Sequence, residues 1–309
     1  MNDIDVAIAE LTKEAEKELI INYKKALDDI RKKIALIYEK YSETGELTYA
    51  EMAKYNRYDE LIKSIEKRLK ELGVSNAKLT TGLAGDVYQE SFYRTGYFFE
   101  SSLQARLGYG LINNDVIKAA VQNPISGLTL NQTLEKNRAA IILKIRQEIT
   151  QGLIKGEHYS KMARRIKDSL GGDAYKAVRV AQTEAHRCQN MGVLESGYHA
   201  ASKGVEMYKV WDATLDGKTR PSHQALDQQK VEVNEDFEIE GATAPAPGMF
   251  GVAALDINCR CALRHELKGY APEKRYAREV EGQRGKIIPY TNYKDWVAAK
   301  GLKIQKVYF

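Results

Sequence analysis

Residues 174–214 read AYKAVRVAQTEAHRCQNMGVLESGYHAASKGVEMYKVWDAT. Up to Lys203 the stretch has helical spacing: Val178, Ala181, Ala185 and Cys188 make one apolar face, and Arg179, Thr183, Arg187 and Asn190 recur on a polar one beside Glu184. Lys203-Gly204 is a helix stop. Beyond it MYKVWDAT, residues 207–214, alternates like a strand. A long helix that feeds directly into strands specifies an α+β fold.

Downstream, Leu215 to Lys218 predicts a tight turn and Arg220 to Leu226 one or two helical turns. KVEV from Lys230, the loop GATAPAPGMFG (241–251) and ALDINCRCAL (254–263) complete a compact mixed unit. Upstream the texture is helical. The first 41 residues contain no Gly or Pro, and Ile20, Tyr23, Leu27, Ile30, Ile34, Ile37 and Tyr41 step by three and four along one seam. Thr48 with Glu51 forms a capping box for a second helix, whose seam is Tyr58, Ile62, Ile65, Leu69 and Leu72 and which Gly73 ends. The two helices read as an antiparallel hairpin.

A third helix covers residues 78–108 and is dense in aromatics from Tyr88 to Phe99. Asn114 opens a short helix, and Thr129 with Gln132 caps another that runs to the Gly152–Gly156 break. Residues 159–170 form one more, broken by Gly171-Gly172 before Asp173 caps the helix of the opening stretch. The expected organisation is a helical region over 1–150, a mixed α/β module over 151–268 and an extended C-terminal arm over 269–309.

Composition narrows the function classes. The chain has 309 residues, 43% hydrophobic and 29% charged, which excludes wholesale disorder. The acids Asp3, Asp5 and Glu10 exclude a signal peptide, and no run approaches a membrane span, so no membrane partner is expected. Three cysteines, Cys188, Cys259 and Cys261, do not make a disulfide scaffold. The net charge of +5 is uneven: residues 264–309 hold 11 basic and 5 acidic side chains, leaving −1 before them. Arg264, Lys268, Lys274, Arg275, Arg278, Arg284 and Lys286 are therefore candidate phosphate contacts for DNA.

Two further groups of residues carry possible chemistry. In WDATLDGKTRPSH, Trp211, Asp212, Asp216, Thr219, Arg220 and His223 lie together, with Arg220 placed to pair with either acid. In Asn258-Cys259-Arg260-Cys261, extended backbone would put Cys259, Cys261 and His265 on one face. Cys259, Cys261, His265 and His223 or Asp212 are the candidate ligands of a tetrahedral zinc site; buried structural thiols are the alternative. Cys259, His223 and Asp212 also spell a nucleophilic triad, and Asp212, Asp216 and Asp227 a carboxylate cluster for Mg²⁺. No Walker loop, dinucleotide fingerprint, HExxH or EF-hand occurs.

Taken in order, RVAQTEAHRCQNMG (179–192), WDATLDGKTRPSH (211–223), Pro245-Ala246-Pro247-Gly248 and Asn258-Cys259-Arg260-Cys261 resemble the phage head-morphogenesis domain of Mu F-like minor head proteins, over residues 155–265. Where that family commonly reads Leu-Asp-Gly after the His, this chain has Leu226-Asp227-Gln228. The resemblance implies a minor structural protein of a tailed-phage or prophage head; apart from the candidate zinc, no cofactor is expected. Its implied partners are the portal protein and the major capsid or scaffolding protein. It also implies a role in head assembly or DNA packaging or delivery, a place in the virion at the capsid interior or portal vertex, and presence in the host cytoplasm during assembly. The competing classes are a DNA-binding ejection protein and a cysteine- or metal-dependent hydrolase or nuclease.

Overall fold

The computed structural model describes residues 3–42, 44–123, 125, 127–214, 218–269 and 301. Asp216 and the basic-arm residues Lys274, Arg275, Arg278, Arg284 and Lys286 lie outside the described residues. The elements in chain order are α1 (Asp3–Tyr41), α2 (Tyr49–Ala53), α3 (Arg57–Leu103), α4 (Asn114–Val121), α5 (Leu130–Ile154), α6 (Tyr159–Ser202), β1 (Met207–Asp212), α7 (Pro221–Ala225), β2 (Lys230–Glu232), β3 (Phe237–Ile239), β4 (Ala242–Ala244), α8 (Ala253–Asp256) and β5 (Ala262–Leu267). This is an α+β chain with its strands confined to the part after residue 206. No described helix is long and apolar enough to cross a membrane.

The chain forms two compact units, each assembled from separate segments. One consists of residues 12–81 and 128–182 and is all helical. Its core joins Tyr23, Ala26, Ile30, Ile34 and Tyr38 of α1 to Tyr58, Ile62, Ile65, Leu69 and Leu72 of α3, Ile141, Ile145 and Ile149 of α5, and Met162, Ile166 and Leu170 of α6. The capping boxes at Thr48/Glu51 and Thr129/Gln132 are both formed. The α1 seam differs from expectation by one position: Ile20 is 54% exposed, and Leu19 is buried in its place.

Two glycine breaks expected from the sequence are not breaks. Gly73 lies inside α3, where a Cβ would meet Cδ of Arg138 at 2.4 Å, so it marks a close crossing and not a terminus. Residues 78–103 accordingly continue the same helix. Gly171 and Gly172 lie inside α6, and Asp173 caps nothing there. A glycine costs about 1 kcal/mol in a helix interior. Burial of Ile166 and Leu170, with Ala174 and Ala177 packed beside them, outweighs that, since a buried Leu or Ile contributes about 1.5–3 kcal/mol.

The second unit consists of residues 1–11, 82–127 and 183–309. Its three-stranded antiparallel sheet has the order β2-β1-β5, with Lys209 opposite both Val231 and His265, and Trp211 opposite Leu263. β3 and β4 make a separate hairpin that pairs Phe237 with Ala244, so part of the Gly/Ala/Pro loop is strand. One side of the sheet packs Trp211, Leu263 and Phe237 against Val193 and Leu194 of α6. Tyr93, Phe99, Leu107 and Tyr109 gather around Met207 and Leu267, so the aromatic run of α3 is largely core. Gly192 and Gly197 permit this: a Cβ at Gly192 would lie 2.4 Å from the Tyr88 carbonyl oxygen, and one at Gly197 2.3 Å from the His265 ring.

Candidate functional site

The polar face of α6 is buried and holds loop backbone. Asn190, 1% exposed, donates through Nδ2 to the carbonyls of Pro247 (3.1 Å) and Cys261 (3.0 Å) and accepts from the Leu263 N–H (2.8 Å). One amide thus aligns the proline loop with the entry to β5. His186 Nε2 donates to the Cys261 carbonyl at 2.7 Å, and burial lowers its pKa. Thr183 Oγ1 accepts from the Asn258 N–H at 3.4 Å.

Arg187 has a different task. Its guanidinium donates to the Ala120 (2.8 Å) and Val121 (2.9 Å) carbonyls in the last turn of α4, where the i+4 donors of the helix have run out. Glu184 neutralises it at 2.9 Å, although burial still raises the Glu184 pKa against that pairing. Arg179, expected to share this role, belongs to the segment 128–182 in the other unit.

Around β1, Asp212 pairs with Arg264 across the sheet and Asp227 Oδ1 accepts from the Ala213 N–H at 2.8 Å. Gln228, which stands where the family pattern has glycine, still turns in the left-handed region with φ 61°, and its N–H donates to the Trp211 carbonyl at 2.8 Å. Thr214 Oγ1 donates to the Arg260 carbonyl at 2.8 Å, and Thr219 donates to the Thr214 carbonyl. Arg220 reaches the carbonyls of Leu255 and Ile257 beside α8. These carbonyl contacts tie two loops together; of the two acids expected to pair with Arg220, Asp212 pairs with Arg264, and Asp216 lies outside the described residues.

Cys259 and Cys261 lie between α8 and β5, not in a strand. There both sulfurs face one imidazole: His223 Nδ1 is 3.3 Å from Cys261 Sγ and 3.6 Å from Cys259 Sγ. Trp211 packs edge-on against the His223 ring, with centroids 5.7 Å apart. All three residues are at most 4% exposed. The Cys259 thiol, hydrogen-bonded to Cys261 and buried, is held protonated far above its usual range. Cys261 is pushed the opposite way, by the Cys259 thiol first and then by His223.

His265 is not brought to this cluster. Its Nε2 donates to the Val193 carbonyl at 3.1 Å and its ring packs on Phe99. Its position within β5 decides this, whereas the two cysteines precede that strand. Asp212 also stays away, held by Arg264, and His223 makes no hydrogen bond to a carboxylate, so the Cys-His-Asp triad is not assembled. Asp212 and Asp227 each serve a structural contact, and no carboxylate cluster forms among the described residues.

The sequence reading missed three groups and the structural role of a fourth, Asp227. His186 was legible as the residue four before Asn190 on the same helix face. Lys209, fully buried, donates to the Pro245 carbonyl at 3.0 Å and lies 5.6 Å from the Phe237 ring centroid. Asp256 accepts from the Phe250 (3.0 Å) and Val252 (3.1 Å) N–H groups, and Asp227 orders the end of β1. Nothing in spacing alone announces a buried lysine or a loop-closing aspartate.

A long helix whose buried polar side chains hold the loops of a small sheet, closed by a Cys-His cluster, is the architecture over which the Phage Mu protein F like family matches, at residues 143–264. The chain belongs to that family. It is 36% identical over 299 residues to the Minor head protein GP7 of Bacillus phage SPP1, covering 96% of each chain. It is also 31% identical over 287 residues to the NAD(+)-arginine ADP-ribosyltransferase EFV of Enterococcus faecalis, covering 92% of this chain but only 57% of that protein. No solved structure matches. The chain is a structural protein of the phage head.

Proposed function

We propose that the chain acts at the portal vertex of the phage head, in head assembly and in packaging or delivery of DNA, with the portal protein and the major capsid or scaffolding protein as its partners. The observation that carries this reading is the likeness to a minor head protein over 96% of both chains, which takes in both compact units. The helical unit adds support: Leu36, Val74, Leu143, Ile154 and Tyr175 are each more than half exposed, apolar surface of the kind a docking partner covers. Coexpression with the portal protein tests it. Comigration with the portal ring on a gradient is the expected result; separate sedimentation counts against it.

We assign the chain no enzymatic step. The Cys261–His223 pair is enclosed, and a nucleophile must be reachable by its substrate. The transferase name of the Enterococcus relative belongs to a protein of which this chain spans 57%, and it brings no activity here. DNA contact, if made by the basic arm, rests on the charge excess after Arg264. Arg264 and Lys268 themselves are paired with Asp212 and Glu232.

A further inference from the structure

We propose that His223, Cys259 and Cys261 form a zinc site that locks the turn carrying α7 to the approach of β5. The donor atoms, one imidazole nitrogen and two sulfurs, lie within 4.8 Å of one another and are buried. Their spacing is that of a metal's coordination edge. With Zn–S near 2.3 Å and Zn–N near 2.0–2.1 Å, tetrahedral geometry puts nitrogen and sulfur about 3.5 Å apart. The observed separations are 3.3 and 3.6 Å, both measured from the same nitrogen, Nδ1. One ring nitrogen cannot make two good hydrogen bonds to two sulfurs, but a cation placed between all three satisfies them together.

The chemistry selects the ion. Two sulfurs and an imidazole suit zinc, and no carboxylate joins the cluster among the described residues, which disfavours Mg²⁺ or Ca²⁺. His223 Nε2 is buried without a hydrogen-bond partner, so the imidazole is oriented by packing, edge-on to Trp211. Asp256 is committed to the Phe250 and Val252 N–H groups and stands outside the ligand group. Arg220 draws the same two loops together through the Leu255 and Ile257 carbonyls, so the metal closes a junction the protein already shapes. Binding needs both sulfurs as thiolates, and the thiol protons they carry are released to solvent.

The test uses the full chain purified without chelator and analysed by elemental mass spectrometry. Stoichiometric zinc is expected, lost in Cys259→Ser and Cys261→Ser and retained in Cys188→Ser. Cys188 is equally buried but outside the cluster, so it controls for loss of a thiol and for partial unfolding. Cobalt added to metal-free protein should give the thiolate charge-transfer band and the strong visible bands of a tetrahedral site, absent in both cluster variants. A chelator should lower the Tm of the unmutated chain and leave that of Cys261→Ser unchanged. Protein that holds no zinc, takes up neither zinc nor cobalt, and melts at the same temperature with and without chelator overturns the proposal. So does a disulfide between Cys259 and Cys261 in freshly purified protein.

Discussion

The side-chain amide of Asn190 and the backbone of Cys261 are joined directly, Nδ2 donating to the Cys261 carbonyl at 3.0 Å, while Oδ1 of the same side chain takes the Leu263 N–H two residues on. A position on the middle of α6 therefore sets where the Cys-x-Cys segment enters β5. Replacing Asn190 with Ala leaves two carbonyls and one N–H without this partner in a buried place, and each such group costs about 1–3 kcal/mol. The expected loss is about 3 kcal/mol, read as a lower urea midpoint. Asn190→Asp should lose about as much, because a carboxylate cannot donate to the Pro247 and Cys261 carbonyls.

Gly171 and Gly172 stand in the interior of α6 with open space where a Cβ would project. Alanine at either position should raise stability by about 1 kcal/mol through helix propensity. Gly192→Ala should do the opposite, since the new Cβ would be driven against the Tyr88 carbonyl. Thermal melts of the three variants separate the cases. Equal destabilisation in all three would show that the Gly-Gly step is a needed break in the helix.

Acid should weaken the sheet unit through His265. Burial pushes its pKa down from 6.5 to about 4, and its Nδ1 is buried with no acceptor to receive a proton. The unfolded chain therefore binds the proton more tightly than the folded one. Stability from this residue is complete above about pH 6.5 and is lost as pH falls from there towards about 4, by about 3 kcal/mol in all. His186, whose pKa is also lowered by burial, adds in the same direction. Urea titrations from pH 7 to 4 should show the decline, and His265→Gln should flatten it. An unchanged slope in that variant would remove His265 from the account.

The sequence made the helical seams and the α6-to-β1 transition legible because periodicity and helix stops are local. The Leu19, Tyr23, Ile30 and Ile34 seam was missed by one residue only at its start. Glycine was misread at Gly73, Gly171 and Gly172, where packing against other segments overrides a local penalty of about 1 kcal/mol. The candidate site was partly legible. Asn190, Cys259, Cys261 and His223 stand out as residue types, but their convergence depends on the backbone between α8 and β5. An assumption of extended strand there wrongly drew in His265.

The basic arm predicts weak, sequence-independent DNA binding that falls with salt, because each neutralised phosphate releases counterion. Truncation after residue 268 should reduce binding at low salt, whereas Arg264→Gln should change it little, its charge being paired with Asp212. Filter binding across a salt series checks both. Equal binding by truncated and full-length chains would assign the arm to a protein contact.

A component of the phage head is carried in the particle itself, and its content there can be measured. Gradient-purified particles from induced or infected cells, washed and analysed by quantitative mass spectrometry, should contain the chain at a fixed, low copy number relative to the major capsid protein. Particles that lack it, with the chain recovered only as free protein in the lysate, would contradict the account.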